Sequence, residues 1–500
     1  MAEASADAIQ RLIENSKKGL AQIEKSLPDI LETRQAVVNV IESKGVDDVV
    51  VELMLIVLDS ILAEQEVIYD ISTSLNSLLR ASDDYTKRYY MQILNFCFWE
   101  ACQLFAGEDD ENGLLDRLEK LTGCINQAGC QFLIKHIIND IKEFREEYTD
   151  KELRNITRHY DDPIKMYEKQ RGLINIDFYA KGVSQLLAIR MEVTVVSSFL
   201  LNLFATTKNV SKNVVEYKNT SLSLKEKFNE AIFKAFKEKN IKEVVQHVLS
   251  KGQKTLDDYY VLHLSYCKAI VFLEQNNYKI PDSFKKLESL ILLRMEILFL
   301  RYDIACSVLG YLNAVSDVER SHNLRLIYIT KQAALTHIYG YNEKSRNKSL
   351  WTRIKVMEEA SNETLDTDKV EELLKDLTAN LTEDKDKSNI FSHYRYKQTY
   401  YIPQRFKVFD KMIHHKELGD SLKLINVCNS LEKYSASLLS CLDDTQKKDK
   451  NKHYSEWLTI LDDLVNNIGY DERAKETLRT MKELIDKIYG DGDYFKNKLN

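Results

Sequence analysis

The stretch VVVELMLIVLDSILAEQEVIYDISTSLNSLL, residues 49–79, decides the fold class. Its leucines, isoleucines and valines recur at three- and four-residue spacing over about eight helical turns. A second stretch, SFKKLESLILLRMEILFLRYDIACSVLGYL at residues 283–312, has the same spacing. Each pattern predicts a long helix with an apolar face, and we interpret the two helices as the centres of two helical bundles.

The composition favours helices throughout the chain. The 500 residues include only 15 glycines and 4 prolines, far below the usual ~7% and ~5%. Such a shortage of turn-forming residues predicts long helices joined by short polar loops and argues against a β-rich fold. A hydrophobic content of 44% is sufficient for sizeable cores. The predicted fold class is therefore all-α.

An internal repeat appears when the chain is displaced by 234 residues. RNITRHYDDPIKMYEKQR (154–171) then aligns with SNIFSHYRYKQTYYIPQR (388–405). The identical pairs are Asn155/Asn389, Ile156/Ile390, His159/His393, Tyr160/Tyr394, Tyr167/Tyr401, Gln170/Gln404 and Arg171/Arg405. Helical elements occur in the same order around both segments, which indicates a tandem duplication.

The repeat predicts two related helical units packed as a pseudo-dimer. The first unit covers residues 1–215, the second covers residues 222–470, and residues 471–500 form a C-terminal helix or tail. The boundary falls in the polar segment at 206–224.

Charge, apolar runs and cysteines bear on location and partners. The N-terminus MAEASADAIQ does not resemble a signal peptide, and the longest apolar runs are shorter than the ~18 residues of a membrane span. The eight cysteines form no CxxC pair and are interpreted as free buried thiols. A net charge of −7 argues against a general nucleic-acid coat. We therefore expect a soluble, cytoplasmic protein without membrane contact.

The segment LRNITRHY, residues 153–160, carries the main functional signal. This segment resembles the signature of the HEPN superfamily. In that signature an arginine, often followed by asparagine, precedes a histidine by five positions on the closing helix of an all-α bundle. The resemblance covers about 125 residues of each unit by architecture and only these few residues by sequence. It implies helical bundles that pair so that two motifs face each other. Many members are metal-independent ribonucleases of bacterial defence and toxin systems, while others have no activity.

The residue types suit RNA cleavage without a metal. In that reaction His159 would act as general acid or base, and Arg154 would clamp the phosphate through two parallel donors. Asn155 would orient its neighbours by hydrogen bonding. Arg154 and His159 would lie about 140° apart on a regular helix, so the site needs a helix start within the motif or a partner surface.

A packing role explains the same residues. Pro163 disfavours helix at Asp162, which places His159 near a helix end, where histidines commonly satisfy carbonyl groups. The second unit has Ser388 in place of Arg154, and Asp161 and Asp162 would repel a phosphate. The duplicated residues then serve to fix helix ends, and the protein is a non-catalytic helical scaffold or interaction protein.

The second unit offers a candidate RNA-binding segment around its own copy of the motif. Basic residues alternate with aromatic rings there, a pattern that single-stranded RNA binders use, although aromatic residues at helical spacing are more often core. The candidate binding residues are Asn389, His393, Arg395, Lys397, Arg405 and Lys407. The basic segment 342–355 would extend the same surface.

No cofactor or metal site is predicted. His136 and Asp140 are four residues apart on one helix face, but two ligands do not make a site. No glycine-rich phosphate loop, GxSxG turn or HExxH motif appears in the sequence. The predicted function is that of a HEPN-like ribonuclease or RNA-binding component of a bacterial phage-defence system, and the alternative is the non-catalytic scaffold. RNA, a protein partner and a homodimer all remain open as binding partners.

Overall fold

A computed structural model describes most of the helical part of the chain. The described residues are 29–39, 49–107, 113–124, 128–156, 162–173, 175–207, 238–275, 282–340, 342–361, 365–379 and 414–444, together with 18, 160, 395–396, 399–400 and 412.

The described residues form fifteen helices, with a further helical stretch at 29–39. In the first half they are α1 Val49–Arg80, α2 Asp84–Ala106, α3 Leu114–Cys124, α4 Ala128–Tyr148, α5 Lys151–Ile156, α6 Pro163–Gly172 and α7 Ile176–Thr207. In the second half they are α8 Glu238–Ser250, α9 Gly252–Gln275, α10 Asp282–Asn313, α11 Asp317–Ile338, α12 Glu343–Arg346, α13 Leu350–Ser361, α14 Asp368–Thr378 and α15 His414–Asp444. Within the described residues, β structure is limited to an antiparallel pair, β1 Arg395–Tyr396 and β2 Thr399–Tyr400. The all-α prediction is confirmed.

The two long apolar stretches form two long helices of 32 residues each, as predicted. Helix α1 packs against α2, α3 and α7, and α4 packs across α2, α3 and α7. Helix α10 packs against α8, α9, α11 and α15. The apolar residues of both sets form one continuous core cluster. The two halves therefore share a hydrophobic interior.

Side-chain caps fix the starts of the helices that follow the long ones. Asp83 accepts a hydrogen bond from the backbone N–H of Thr86 at the start of α2, and Ser316 accepts one from Glu319 at the start of α11. These caps satisfy backbone donors that a helix start leaves without partners. The caps, like the first residues of α1 and α10, are 233 positions apart. This spacing differs by one residue from the offset that aligns the motif segments.

The halves meet where α1 contacts α11 and where α2 and α6 contact α10. The contact at Gly310 is very close: a Cβ there would lie 1.9 Å from the Tyr90 hydroxyl oxygen. Only glycine permits the α10 backbone to approach α2 so closely. The Tyr90 hydroxyl donates to the carbonyl of Cys306 at 3.2 Å. Polar side chains as well as apolar packing therefore hold the junction.

Helix α7 differs from the other long helices in its exposure. Its segment Ile176–Leu201 is long and apolar enough to cross a bilayer, and 39% of the most apolar window is buried inside the protein. A core helix of a soluble protein meets the same length and composition criteria. Met191, Val195 and Phe199 are 56%, 61% and 51% exposed and form one stripe along this helix.

Candidate functional site

Arg154 lies in the short helix α5, whose start is fixed by Asp150. The Asp150 carboxylate accepts from the backbone N–H of Leu153 at 2.9 Å, and its backbone carbonyl accepts from Arg154 at 3.0 Å. The side chain of Asn95 on α2 bonds to both the N–H and the carbonyl of Asp150. Helix α5 is therefore attached to α2 at its first residue.

The Arg154 guanidinium is engaged by a buried carboxylate. It donates to Glu100 Oε1 at 2.9 Å, and the Glu100 side chain is only 4% exposed. A second donor bonds to Asn155 Oδ1 at 2.9 Å. The Arg154 side chain is 25% exposed. A phosphate would have to compete with Glu100 for this cation.

The predicted helix end is present after the arginine. Helix α5 stops at Ile156, and α6 begins at Pro163 with Asp162 as its cap. His159, the proposed general acid or base, lies outside the described residues. Tyr160, its neighbour, is 2% exposed and donates to Asp303 Oδ2 on α10 at 2.9 Å. The segment thus ends in a bond between the two halves.

Most of the second motif falls on residues that the structure does not describe. Asn389, His393, Lys397, Arg405 and Lys407 lie outside the described residues, as does Ser388. Arg395 begins strand β1, where it pairs with Tyr400.

Some of the basic side chains in the predicted RNA-binding extension at 342–355 form ion pairs within the protein. Arg353 forms ion pairs with the buried Glu296, and His337 bonds to the same carboxylate at 2.9 Å. Lys355 pairs with Glu358 at 3.0 Å. Two of its five cations are therefore committed within the protein.

Asp303 is the centre of a hydrogen-bonded node at the junction. Its Oδ1 accepts from the Tyr85 hydroxyl on α2 at 2.7 Å, while Oδ2 accepts from Tyr160. Burial raises the pKa of Asp303 to about 7, against the lowering effect of both tyrosine hydrogen bonds. This carboxyl therefore changes charge near neutral pH.

Asp70 on α1 is the centre of a second node with ionic partners from α11. Its Oδ1 lies 2.8 Å from His322 Nδ1, and its Oδ2 lies 2.6 Å from the Arg325 guanidinium. Arg325 also donates to Glu66 at 3.1 Å, and Ser74 Oγ lies 3.4 Å from His322 Nε2. The side chains of Glu66, Asp70, His322 and Arg325 are each at most 4% exposed.

The pKa shifts in this node lead to a neutral cluster. Burial would raise the pKa of Asp70, but Arg325 and then His322 lower it to about 2. Burial, followed by the charge of Asp70, raises the pKa of Glu66 to about 8, and burial lowers the pKa of His322. At pH 7 one anion, Asp70, balances one cation, Arg325. With its proton on Nδ1, a neutral His322 would donate to Asp70 and accept from the Ser74 hydroxyl at Nε2.

The sequence contains a signal for both nodes that the 234-residue offset misses. At an offset of 233, YDISTS (69–74) aligns with YDIACS (302–307), so Asp70 matches Asp303 and Ser74 matches Ser307. Each aspartate reaches the helix that follows the long apolar helix of the opposite half: Asp70 contacts α11 and Asp303 contacts α2.

A small cavity of about 30 Å³ lies against these nodes and is lined by Tyr160, Asp303, Arg325 and Tyr89, among others. At roughly 10–15 Å³ per water, it has room for about two water molecules and not for a nucleotide.

Comparison with protein-family models, with curated proteins and with solved structures gives no match. The geometry of the described residues is therefore the basis for any functional conclusion.

Proposed function

We propose that this protein is a non-catalytic helical scaffold in which the segment around Arg154 and Tyr160 fastens its two halves together. The observation that carries the proposal is the engagement of these side chains. Arg154 donates to the buried Glu100, and Tyr160 donates to the buried Asp303 of the other half. A packing role for the segment requires such contacts, whereas a phosphate clamp requires an available guanidinium.

We further propose that the halves are duplicated units packed as a pseudo-dimer. Helices α1 and α10 each have 32 residues and begin 233 positions apart, which supports common ancestry. The reciprocal reach of Asp70 and Asp303 supports an approximate two-fold relation, because equivalent residues in such a pair contact the partner in the same way. An experimental structure in which α1–α2 and α10–α11 superpose by a rotation near 180° would agree with this arrangement.

A scaffold needs a surface for its partner, and we place that surface on α7. Met191, Val195 and Phe199 recur every four residues and form a single apolar stripe. A second copy of the chain is the occupant to test, since the same stripe on two antiparallel α7 helices is self-complementary. Val195→Glu should convert a dimer to monomer in analytical ultracentrifugation at micromolar concentration. A monomeric wild-type protein would refute self-association through α7.

RNA cleavage is the second candidate function, and one contact favours it. Asn155 holds the Arg154 guanidinium while that side chain remains 25% exposed. A HEPN-like ribonuclease would use Arg154, Asn155 and His159 in the roles described above, and the basic residues of the second motif would bind RNA.

The deciding experiment is a cleavage assay on total RNA without added metal, together with thermal melts. It compares wild type with Arg154→Ala, His159→Ala and Ser388→Arg. The scaffold predicts no cleavage by any of them, a lower melting temperature for Arg154→Ala, and a neutral or destabilising effect of Ser388→Arg. Cleavage by wild type that folded Arg154→Ala and His159→Ala variants both lose would overturn the scaffold and establish the nuclease.

A further inference from the structure

His263, Cys267 and Glu288 form a compact group at the contact between α9 and α10. His263 and Cys267 are four residues apart on α9 and therefore lie on one helix face, while Glu288 comes from the first part of α10. One donor atom from each residue lies within 4.8 Å of the other two. Among the residues that the structure describes, it is the group of three potential metal ligands with this spacing.

Two of the three ligand–ligand distances are close to those of a tetrahedral zinc site, and the third, between Cys267 and Glu288, is within 4.8 Å. His263 Nε2 lies 3.7 Å from Glu288 Oε1 and 3.7 Å from Cys267 Sγ. Zinc bond lengths of about 2.3 Å to sulfur and about 2.0–2.2 Å to nitrogen and oxygen give ligand separations of roughly 3.4–3.6 Å at tetrahedral angles. The two distances from His263 exceed those separations by a few tenths of an ångström at most.

The surroundings are also those of a metal site. The Tyr266 hydroxyl bonds to Glu288 and so helps to orient that carboxylate, as outer partners of metal ligands commonly do. The His263 side chain is 12% exposed and Glu288 is 41% exposed, so solvent reaches one side of the group. A fourth position is therefore open to water.

We propose that His263, Cys267 and Glu288 bind one divalent ion of the zinc type, with water as the fourth ligand. The mixed nitrogen, sulfur and oxygen donors suit a borderline ion such as Zn²⁺ better than Mg²⁺ or Ca²⁺, which prefer oxygen ligands alone. As the Sγ–metal bond forms, the Cys267 thiol releases its proton to solvent. The proposal is independent of the scaffold role and of self-association through α7.

The test uses Co²⁺ as the probe on the full-length protein after treatment with chelator. Wild type should bind one equivalent with a sulfur-to-cobalt charge-transfer band, and Zn²⁺ should displace it. Cys267→Ser should lose the band, while His263→Ala and Glu288→Gln should weaken binding by tenfold or more. Cys124→Ser and His136→Ala are matched controls, because they remove an exposed thiol and a histidine 3.7 Å from a carboxylate elsewhere. Both should bind Co²⁺ like wild type.

A second measurement uses the wild-type protein alone and therefore does not depend on the folding of a variant. In wild type, Zn²⁺ should slow the alkylation of Cys267 at least tenfold, read by mass spectrometry of its peptide, and leave that of Cys124 unchanged. Absence of the charge-transfer band, a band that persists in Cys267→Ser, or equal protection of both cysteines would each overturn the proposal.

Discussion

Asp70 and Asp303 occupy matching positions in α1 and α10, yet they exist in different chemical states. Asp70 faces a histidine and an arginine, and the pKa of its carboxyl falls to about 2. Asp303 faces two tyrosine hydroxyls, and its pKa rises to about 7. Burial disfavours the charged carboxylate in both cases, so the neighbouring side chains determine whether the pKa falls or rises. A cation nearby keeps the buried aspartate ionised, whereas neutral donors only partly offset the loss of water.

This difference has consequences for how the junction is held. The Asp70 node depends on charge balance, because the buried Arg325 guanidinium has almost no contact with water that could stabilise its charge in place of Asp70. The Asp303 node depends on hydrogen bonds from Tyr85 and Tyr160, which stabilise either protonation state to some extent. We expect the two nodes to respond differently to mutation and to pH.

The largest expected effect follows removal of the charge of Asp70. Asp70→Asn removes the ionised partner of the buried Arg325 and leaves Glu66 as its remaining carboxyl partner. It should lower the free energy of unfolding by about 3–5 kcal/mol. Urea denaturation followed by circular dichroism would measure the loss. Asp303→Asn is the matched control at pH 7, because it removes no partner of a buried cation. Similar losses in both variants would contradict the distinction between an ionic and a neutral node.

The second prediction concerns the pH dependence of Asp303. Its folded pKa of about 7 exceeds the unfolded value near 3.9, so the folded state binds the extra proton between these values. Its contribution is fully present below about pH 4 and is lost as the pH rises through about 7, with a slope of at most about 1.4 kcal/mol per pH unit. The difference in unfolding free energy between wild type and Asp303→Asn should therefore fall by about 2–3 kcal/mol from pH 4 to pH 7.

Using the difference between two proteins removes the contributions of other shifted groups. The pKa values of Glu64 and Glu66 are raised to about 8 by burial, and both remain in Asp303→Asn. A difference that is constant from pH 4 to pH 7 would show that Asp303 keeps its charge throughout.

The third prediction concerns the attachment of α5 to α2. Arg154→Ala removes the guanidinium from the buried Glu100 and should cost about 1–3 kcal/mol. Glu100→Gln in the same background should recover part of the loss, because a neutral amide is cheaper to bury than a carboxylate. Asn155→Ala, at the exposed neighbouring position, should change stability by less than about 0.5 kcal/mol. Additive effects of the Arg154 and Glu100 changes in a double-mutant cycle would exclude their coupling.

The helices could be predicted from the sequence, whereas the contacts between their side chains could not. The apolar spacing at 49–79 and 283–312 is a local signal, and it predicted α1 and α10 to within one residue at each end. Pro163 likewise predicted the break before α6. Residues Asp70 and His322 are 252 positions apart, and no local pattern connects them. The repeated YDIxxS sequence could have identified the aspartates. The opposite directions of their pKa shifts, however, depend on unlike partners, His322 and Tyr85, at non-equivalent positions.

The candidate site shows the same division. The contact of Arg154 with Asn155 joins neighbouring residues and is therefore local. Glu100, which engages the guanidinium, was not predicted, since it lies 54 positions away on α2. The spacing of His263 and Cys267 was visible in the sequence, but its third member, Glu288, becomes apparent only when α9 and α10 are placed together.

The smallest expected effect comes from one hydroxyl group of the Asp303 node. Tyr160→Phe removes the bond from the motif segment to Asp303 and should lower the unfolding free energy by about 0.5–1.5 kcal/mol at pH 7. With one donor fewer, the charged form of Asp303 is less stabilised, so its pKa should rise further and the loss should be smaller at pH 5 than at pH 8. Tyr85→Phe is the matched variant. It removes the hydroxyl of a residue on α2 that donates to the other oxygen of the Asp303 carboxylate. If Tyr160→Phe alone leaves stability unchanged at both pH values, the bond from Tyr160 does not fasten the halves. The proposed role of the segment is then refuted, because Arg154 and Glu100 both lie in the first half.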